Sequence, residues 1–113
     1  MSKYIIYFNQ AWVGDHTEAW FAARGPLARA VVDDMKAAGV YVFAGGLDED
    51  PENAFSADAT SGTLTFTEGP YVWNPQFLGG FAVIDVADED AARQWAGKLA
   101  EACGWPQEVR RVK

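Results

Sequence analysis

Apolar positions along the chain change period several times, and each change marks an element. Lys3 to Asn9 is dense in Tyr, Ile and Phe, the composition of a strand. Both of its faces, Tyr4–Ile6–Phe8 and Ile5–Tyr7, are apolar. Asn9 to His16 reads as a loop, and Thr17 is placed to cap a short helical turn from Glu18 to Arg24. Gly25-Pro26 interrupts that turn, and Pro26 suits the first position of the main helix, where its missing N–H has no role. Leu27, Val31, Met35 and Ala38 then recur at helical spacing. Arg29, Asp33 and Lys36 fall outside that stripe, and Gly39 supplies the C-terminal stop.

Val40 to Leu47 is a second strand, again apolar on both faces. Asp48 to Ser61 is acidic and Pro-containing, hence an exposed loop, whereas Gly62 to Thr67 alternates Leu64 and Phe66 with threonines as a half-exposed strand does. Glu68-Gly69-Pro70 is turn chemistry, and Tyr71 to Phe77 is a loop carrying three rings. Gly79 to Val86 is a third core strand. Asp88 caps a second helix with the stripe Ala92, Trp95, Ala96, Leu99, Ala102 and Cys103; Gly104 ends it, and Gln107 to Val112 is the last strand.

The order β-α-β, hairpin-like insertion, β-α-β predicts a single α+β domain. Its expected architecture is a ferredoxin-like βαββαβ sandwich, a four-stranded sheet with both helices on one face. The second face of such a sheet is open, yet three strands are apolar on both sides, which disfavours water there. A second copy packed sheet to sheet resolves the conflict. The expectation is a homodimer in the form of a dimeric α+β barrel.

Composition sharpens this picture. Five Trp, four Tyr and seven Phe in 113 residues exceed what a small core needs, so some rings line a pocket or a subunit interface. Sixteen acids against nine bases give a net charge of −7, which argues against nucleic acid or an anionic membrane surface as partner. Cys103 is the only cysteine, so neither an intrachain disulfide nor a cysteine-based metal cluster is available. The opening apolar run is too short for a secretory signal, no stretch is long enough to span a bilayer, and a cytoplasmic location is the expectation.

From Leu27 onward the chain resembles the YCII-related family, most of all the branch named for an Asp-Gly-Pro-Phe motif. The residues that carry the likeness are Gly62-Thr63, Glu68-Gly69-Pro70-Tyr71, Leu78-Gly79-Gly80-Phe81 and Ile84-Asp85-Val86. Ala92 and Trp95 on an Asp-led helix follow, then Glu108-Val109-Arg110; upstream, Ala38-Gly39-Val40 and Gly45-Gly46-Leu47 also fit. The resemblance implies a dimeric α+β barrel, a bacterial cytoplasmic protein and a biochemical role that is mostly unassigned. It also implies a suspected His–Asp dyad, whose positions fall near Ala28 and Leu99 here. Neither can move a proton, so the dyad is not carried over. Glu68 stands for the motif's Asp and Tyr71 for its Phe.

Among the side chains that could do chemistry, Glu68 is the first candidate. A carboxylate in a Gly-Pro turn beside aromatic residues can serve as a general base, and equally can hold the turn by accepting backbone N–H groups. His16 is the only histidine and its candidate partner, against the plainer reading of a solvated loop residue. Trp12, Trp20, Tyr71, Trp73 and Phe77 are candidate walls for a flat or apolar small molecule, or dimer contacts. Arg24, Arg110 and Arg111 suit an anion by geometry but are expected to pair with surplus surface acids. Gly45-Gly46 and Gly79-Gly80 lack nucleotide-loop spacing and are expected to allow tight strand packing or a bulge. The functional expectation is a small-molecule-binding protein whose pocket lies between helices and sheet, with metal-free and cofactor-free acid–base chemistry if it is an enzyme. The alternatives are a non-catalytic ligand-sensing or interaction module, and, by analogy of fold, a cofactor-free monooxygenase.

Overall fold

The computed structural model describes all residues from 1 to 113. Strand β1 runs from Ser2 to Asn9 and passes through a 3-10 turn, Gln10–Trp12, into helix α1, Glu18–Ala37. Strand β2, Tyr41–Gly46, is followed by a second 3-10 turn and by the hairpin β3, Phe55–Asp58, and β4, Thr65–Glu68. Strand β5, Leu78–Val86, helix α2, Glu89–Cys103, and strand β6, Glu108–Arg111, complete the chain.

The main sheet has the order β2-β5-β1-β6, and each neighbouring pair is antiparallel. Each helix crossover therefore joins strands separated by one other strand, an α+β topology compatible with the ferredoxin-like expectation. The hairpin forms its own two-stranded sheet. Its first strand falls in the stretch expected to be a loop, because Phe55 to Asp58 carries too few apolar residues to signal a strand. Pairing of Phe55 with Glu68 and of Asp58 with Thr65 makes it one.

Helix α1 corrects the expectation of two separate pieces, for it continues through Gly25-Pro26. A proline inside a helix removes a hydrogen bond and crowds the preceding turn, at a cost of about 3 kcal/mol. Tertiary anchors hold the first two turns in line despite that cost. Arg24 Nη1 donates to the Glu101 carbonyl of α2 at 3.1 Å, while the Thr17 hydroxyl caps the helix start locally by accepting the Trp20 N–H at 3.1 Å. The Phe21 and Trp105 rings pack with centroids 6.5 Å apart. At the other end Gly39, at φ +74°, terminates the helix as expected. Asp88 caps α2 by accepting the Ala91 N–H at 2.9 Å, and Gly104 ends it in the left-handed region.

Alternate residues of β1 and β5 point towards the helices. Tyr4, Ile6, Ala82, Ile84 and Val86 are buried there with Val31 and Met35 of α1 and Ala92, Leu99 and Ala102 of α2. Ile6, Met35, Ile84 and Val86 are the largest fully buried side chains. Trp95, expected in the core, is half-buried at its margin. Ala38 and Leu27, also assigned to the buried stripe, are exposed instead, because Ala38 is the helix cap and Leu27 lies next to Pro26 on the outer side.

The opposite face of the sheet carries Ile5, Tyr7, Phe43, Phe81 and Val83, none of them fully buried. It is bordered by the Lys3–Asp85 ion pair at 3.6 Å and by the Tyr7 hydroxyl, which donates to Glu108. Beyond it the hairpin and the loop after it expose Phe55, Leu64, Phe66, Tyr71, Val72 and Trp73. The chain is correspondingly spread, 46 × 38 × 18 Å, with a radius of gyration of 16.2 Å. A compact chain of this length has about 13 Å.

Candidate functional site

Between α1 and the main sheet lies a cavity of about 720 Å³, within the volume range of small-molecule sites. Helix α1 forms one wall through Phe21, Arg24, Ala28 and Val32, spaced by three, four and four residues along a single face. That face exists only because the helix runs through Pro26. On the sheet side, Ile6 and Phe8 of β1, Ala44 to Gly46 of β2 and Gly80 to Ala82 of β5 form the floor. Leu99 and Cys103 of α2, with Trp105 and Gln107 beyond it, close one side.

The glycine pairs do two jobs. A Cβ on Gly80 would meet the Phe8 ring at 2.9 Å and the Gly45 carbonyl at 3.2 Å, and one on Gly79 would meet Phe8 at 2.5 Å. This pair lets Phe8 lie flat on β5, where it packs against Trp105 with centroids 5.0 Å apart. Gly45 and Gly46 would meet nothing within 4 Å. Gly46 pairs with Gly80 on the helix-facing side and leaves the cavity floor open there, whereas Gly45 pairs with Phe81 and its carbonyl lies close to Gly80.

Polar groups gather at the cavity from α1. Arg24, Arg29 and Lys36 line it together with one acid, Asp33. The two ion pairs of the chain are Lys3–Asp85 and Arg93–Glu89, so none of these three bases has a carboxylate within 4 Å. Arg24 also lies 4.9 Å from the Trp20 ring centroid, and Lys36 is 5.0 Å from that of Tyr41. Arg24 thus departs from the expectation that its charge would pair with a surface acid. The indole Nε1 of Trp105 is buried with no acceptor. Burial pushes the Cys103 thiol above its usual range, more than the Arg24 charge draws it down.

None of the seven residues proposed from sequence lines this cavity. His16 and Trp20 are brought together, their rings stacked with centroids 3.6 Å apart and an 11° tilt. His16 Nε2 also lies 3.1 Å from the Val13 carbonyl. Trp20 stands behind the cavity wall, against Trp105 at 6.2 Å. Trp12 stacks on Tyr7 at 6.5 Å, on the other side of the sheet from the cavity, and the Phe77 carbonyl accepts the Gln10 N–H at 2.8 Å. Glu68 ends β4 with an exposed side chain, and the exposed Trp73 ring packs on Gly69, whose φ is +91°. Tyr71 is exposed beside them. Glu68 and His16 therefore sit on different elements, and both face solvent.

Phe8, Phe21 and Trp105 were not singled out for the site. The family likeness points to the neighbourhood of two helical positions, Ala28 and Leu99, and both line this cavity. The chain matches the YCII-related domain over residues 15–108, nearly its whole length. It belongs to the YCII-related family. No curated protein matches the chain. Within this YCII-related domain, residues 15–108 take in the whole of α1, β2, the hairpin, β5 and α2. All of the cavity wall except Ile6 and Phe8 of β1 therefore belongs to the matched region. No group of three or more His, Cys, Asp and Glu side chains converges anywhere in the fold, and no helix is long and apolar enough to cross a membrane.

Proposed function

We propose that the protein is a small-molecule-binding module whose site is the cavity between α1 and the main sheet. The observation that carries this reading is the cavity itself: about 720 Å³, walled by Ile6, Phe8, Phe21, Leu99 and Trp105, with a few polar groups, most of them on α1. Such a balance of apolar wall and a few polar groups is what ligand sites use. Ala28 and Leu99, near which the family's suspected dyad would fall, supply no proton-transfer group. Binding without turnover is therefore favoured over acid–base catalysis by Glu68 and His16, which lie outside the cavity. Titration with N-phenyl-1-naphthylamine, a neutral dye that fluoresces in apolar sites, tests the reading. Saturable binding that Gly46→Phe abolishes supports it; binding unaffected by that ring would overturn it.

We further infer that two copies pack through the open sheet face as a dimeric α+β barrel. Support comes from Ile5, Tyr7, Phe43, Phe81 and Val83 on that face and from the apolar hairpin beyond it. Phe43 and Phe66 remain 56% and 66% exposed in the single chain. Contiguous exposed apolar surface of this kind marks an association site. The hairpin, held by the main sheet only at its ends, has the reach to lie against a second copy. Light scattering at micromolar concentration tests this: twice the 12.3 kDa chain mass supports it, and the single-chain mass contradicts it.

A further inference from the structure

The cavity has a charge balance opposite to that of the chain. Acids outnumber bases sixteen to nine overall, yet three bases and one acid line this site. Surplus acids are available throughout the surface, and still no carboxylate approaches Arg24, Arg29 or Lys36 within 4 Å. Arg29 and Lys36 are seven residues apart, two turns of α1, so both project from the same side of the helix onto the cavity rim. Trp105 also lines the cavity, and its indole N–H is buried without an acceptor, beside the rings of Phe8 and Phe21.

We propose that the ligand is an organic monoanion: a flat, apolar body with one anionic head. The proposal deepens the binding-module reading and rests on the cavity being its site. The body lies among Phe8, Phe21, Leu99 and Trp105, and the head sits at Arg29 and Lys36. Arg24 is already engaged by the Glu101 carbonyl and the Trp20 ring, so it contributes field more than a direct bond. Asp33, between Arg29 and Lys36 in sequence, offsets one of the positive charges and disfavours a polyanion such as a nucleotide. Gly46 gives the body room over β2, since no atom lies within 4 Å of where its side chain would begin.

Two dyes with the same ring system separate charge from shape. N-phenyl-1-naphthylamine is neutral, and 8-anilinonaphthalene-1-sulfonate adds one sulfonate. Both are titrated by fluorescence against the wild type, the double variant Arg29→Gln/Lys36→Gln and Gly46→Phe, each checked for its fold by circular dichroism. Loss of charge-assisted contacts is expected to weaken the sulfonate about tenfold and the neutral dye by less than about twofold. Equal effects on both dyes, or none on either, would overturn the monoanion proposal while leaving the cavity as the site. If Gly46→Phe left both dyes bound as before, or if neither dye bound at all, the cavity reading would fail and the monoanion proposal with it. Arg29→Lys/Lys36→Gln restores part of the sulfonate affinity lost in the double variant if charge is the cause, and does not if that variant acts by altering α1.

Discussion

Ala28 of α1 and Leu99 of α2 line the same cavity, and neither side chain can give or take a proton. The only histidine, His16, is stacked on Trp20 outside it, and Glu68 ends a strand of the separate hairpin. Glu68→Gln and His16→Ala are therefore expected to leave the affinity for the neutral dye within about twofold of wild type. A loss of tenfold or more in either variant, seen in the same titration, would return the acid–base pair to the site.

Cys103 offers a reporter inside the cavity. The side chain is buried, and its thiol is pushed up by that burial, so little thiolate exists at neutral pH. Reaction with a disulfide reagent at pH 8 is expected to be far slower than that of a free thiol, and slower again with the dye bound. Because the folded state favours the neutral thiol, its contribution to stability is complete below the ordinary thiol pKa of about 8.5 and is lost as pH rises through the folded value. Thermal melts above that pH should fall less steeply for Cys103→Ala than for wild type. Rapid, dye-independent labelling would show that Cys103 does not face the cavity.

The two glycine pairs predict opposite responses to one added methyl group. Gly80→Ala places a Cβ between the Phe8 ring and the Gly45 carbonyl, and overpacking of this kind costs about 1–3 kcal/mol. Gly46→Ala meets no atom within 4 Å and lacks a positive φ, so it is expected to be neutral or to stabilise by up to about 1 kcal/mol through the unfolded chain. Chemical denaturation of the two variants measures both. A tolerant Gly80→Ala would mean that Phe8 does not lie against β5.

Much of the fold was legible because periodicity is written locally. The even-numbered apolar residues of β1 and β5, the Asp88 cap and the Gly39 and Gly104 stops all act within one element. Pro26 was misleading because the force that overrides it is tertiary: Trp105, over eighty residues away, packs against the first turns of α1. Treating Pro26 as a helix start also hid the row Phe21–Arg24–Ala28–Val32, which is the cavity wall. Arg29 and Lys36 fell outside the apolar stripe and so read as solvated charges. Only the gap between α1 and β2 shows that they face a cavity. The loop aromatics stood out by composition, but composition does not say which face of the sheet a ring will reach.

Acid should loosen the segment before the hairpin's second strand in a specific way. Asp58 accepts the Thr60 backbone N–H at 2.8 Å and its hydroxyl at 2.7 Å, and these bonds hold its carboxyl below the usual range. A lowered folded pKa contributes stability above the unfolded value of about 3.9 and loses it as pH falls through the folded value. Carbon-detected NMR titration is expected to place the Asp58 midpoint below that of an unstructured aspartate, and Thr60→Ala to raise it. An unchanged midpoint in the variant would remove the Thr60 hydroxyl as a cause and leave the backbone N–H alone, whereas a midpoint at the unstructured value in the wild type would contradict the turn as the cause.

The claim on which the functional account depends is that a ligand enters between α1 and the sheet. A crystal structure grown with 1-naphthoate, a flat carboxylate small enough for the cavity, tests it most directly. The account predicts density for the rings among Phe8, Phe21, Leu99 and Trp105, with the carboxylate towards Arg29 and Lys36. Density instead against Tyr71 and Trp73 or on the open sheet face, with the cavity empty, would contradict it.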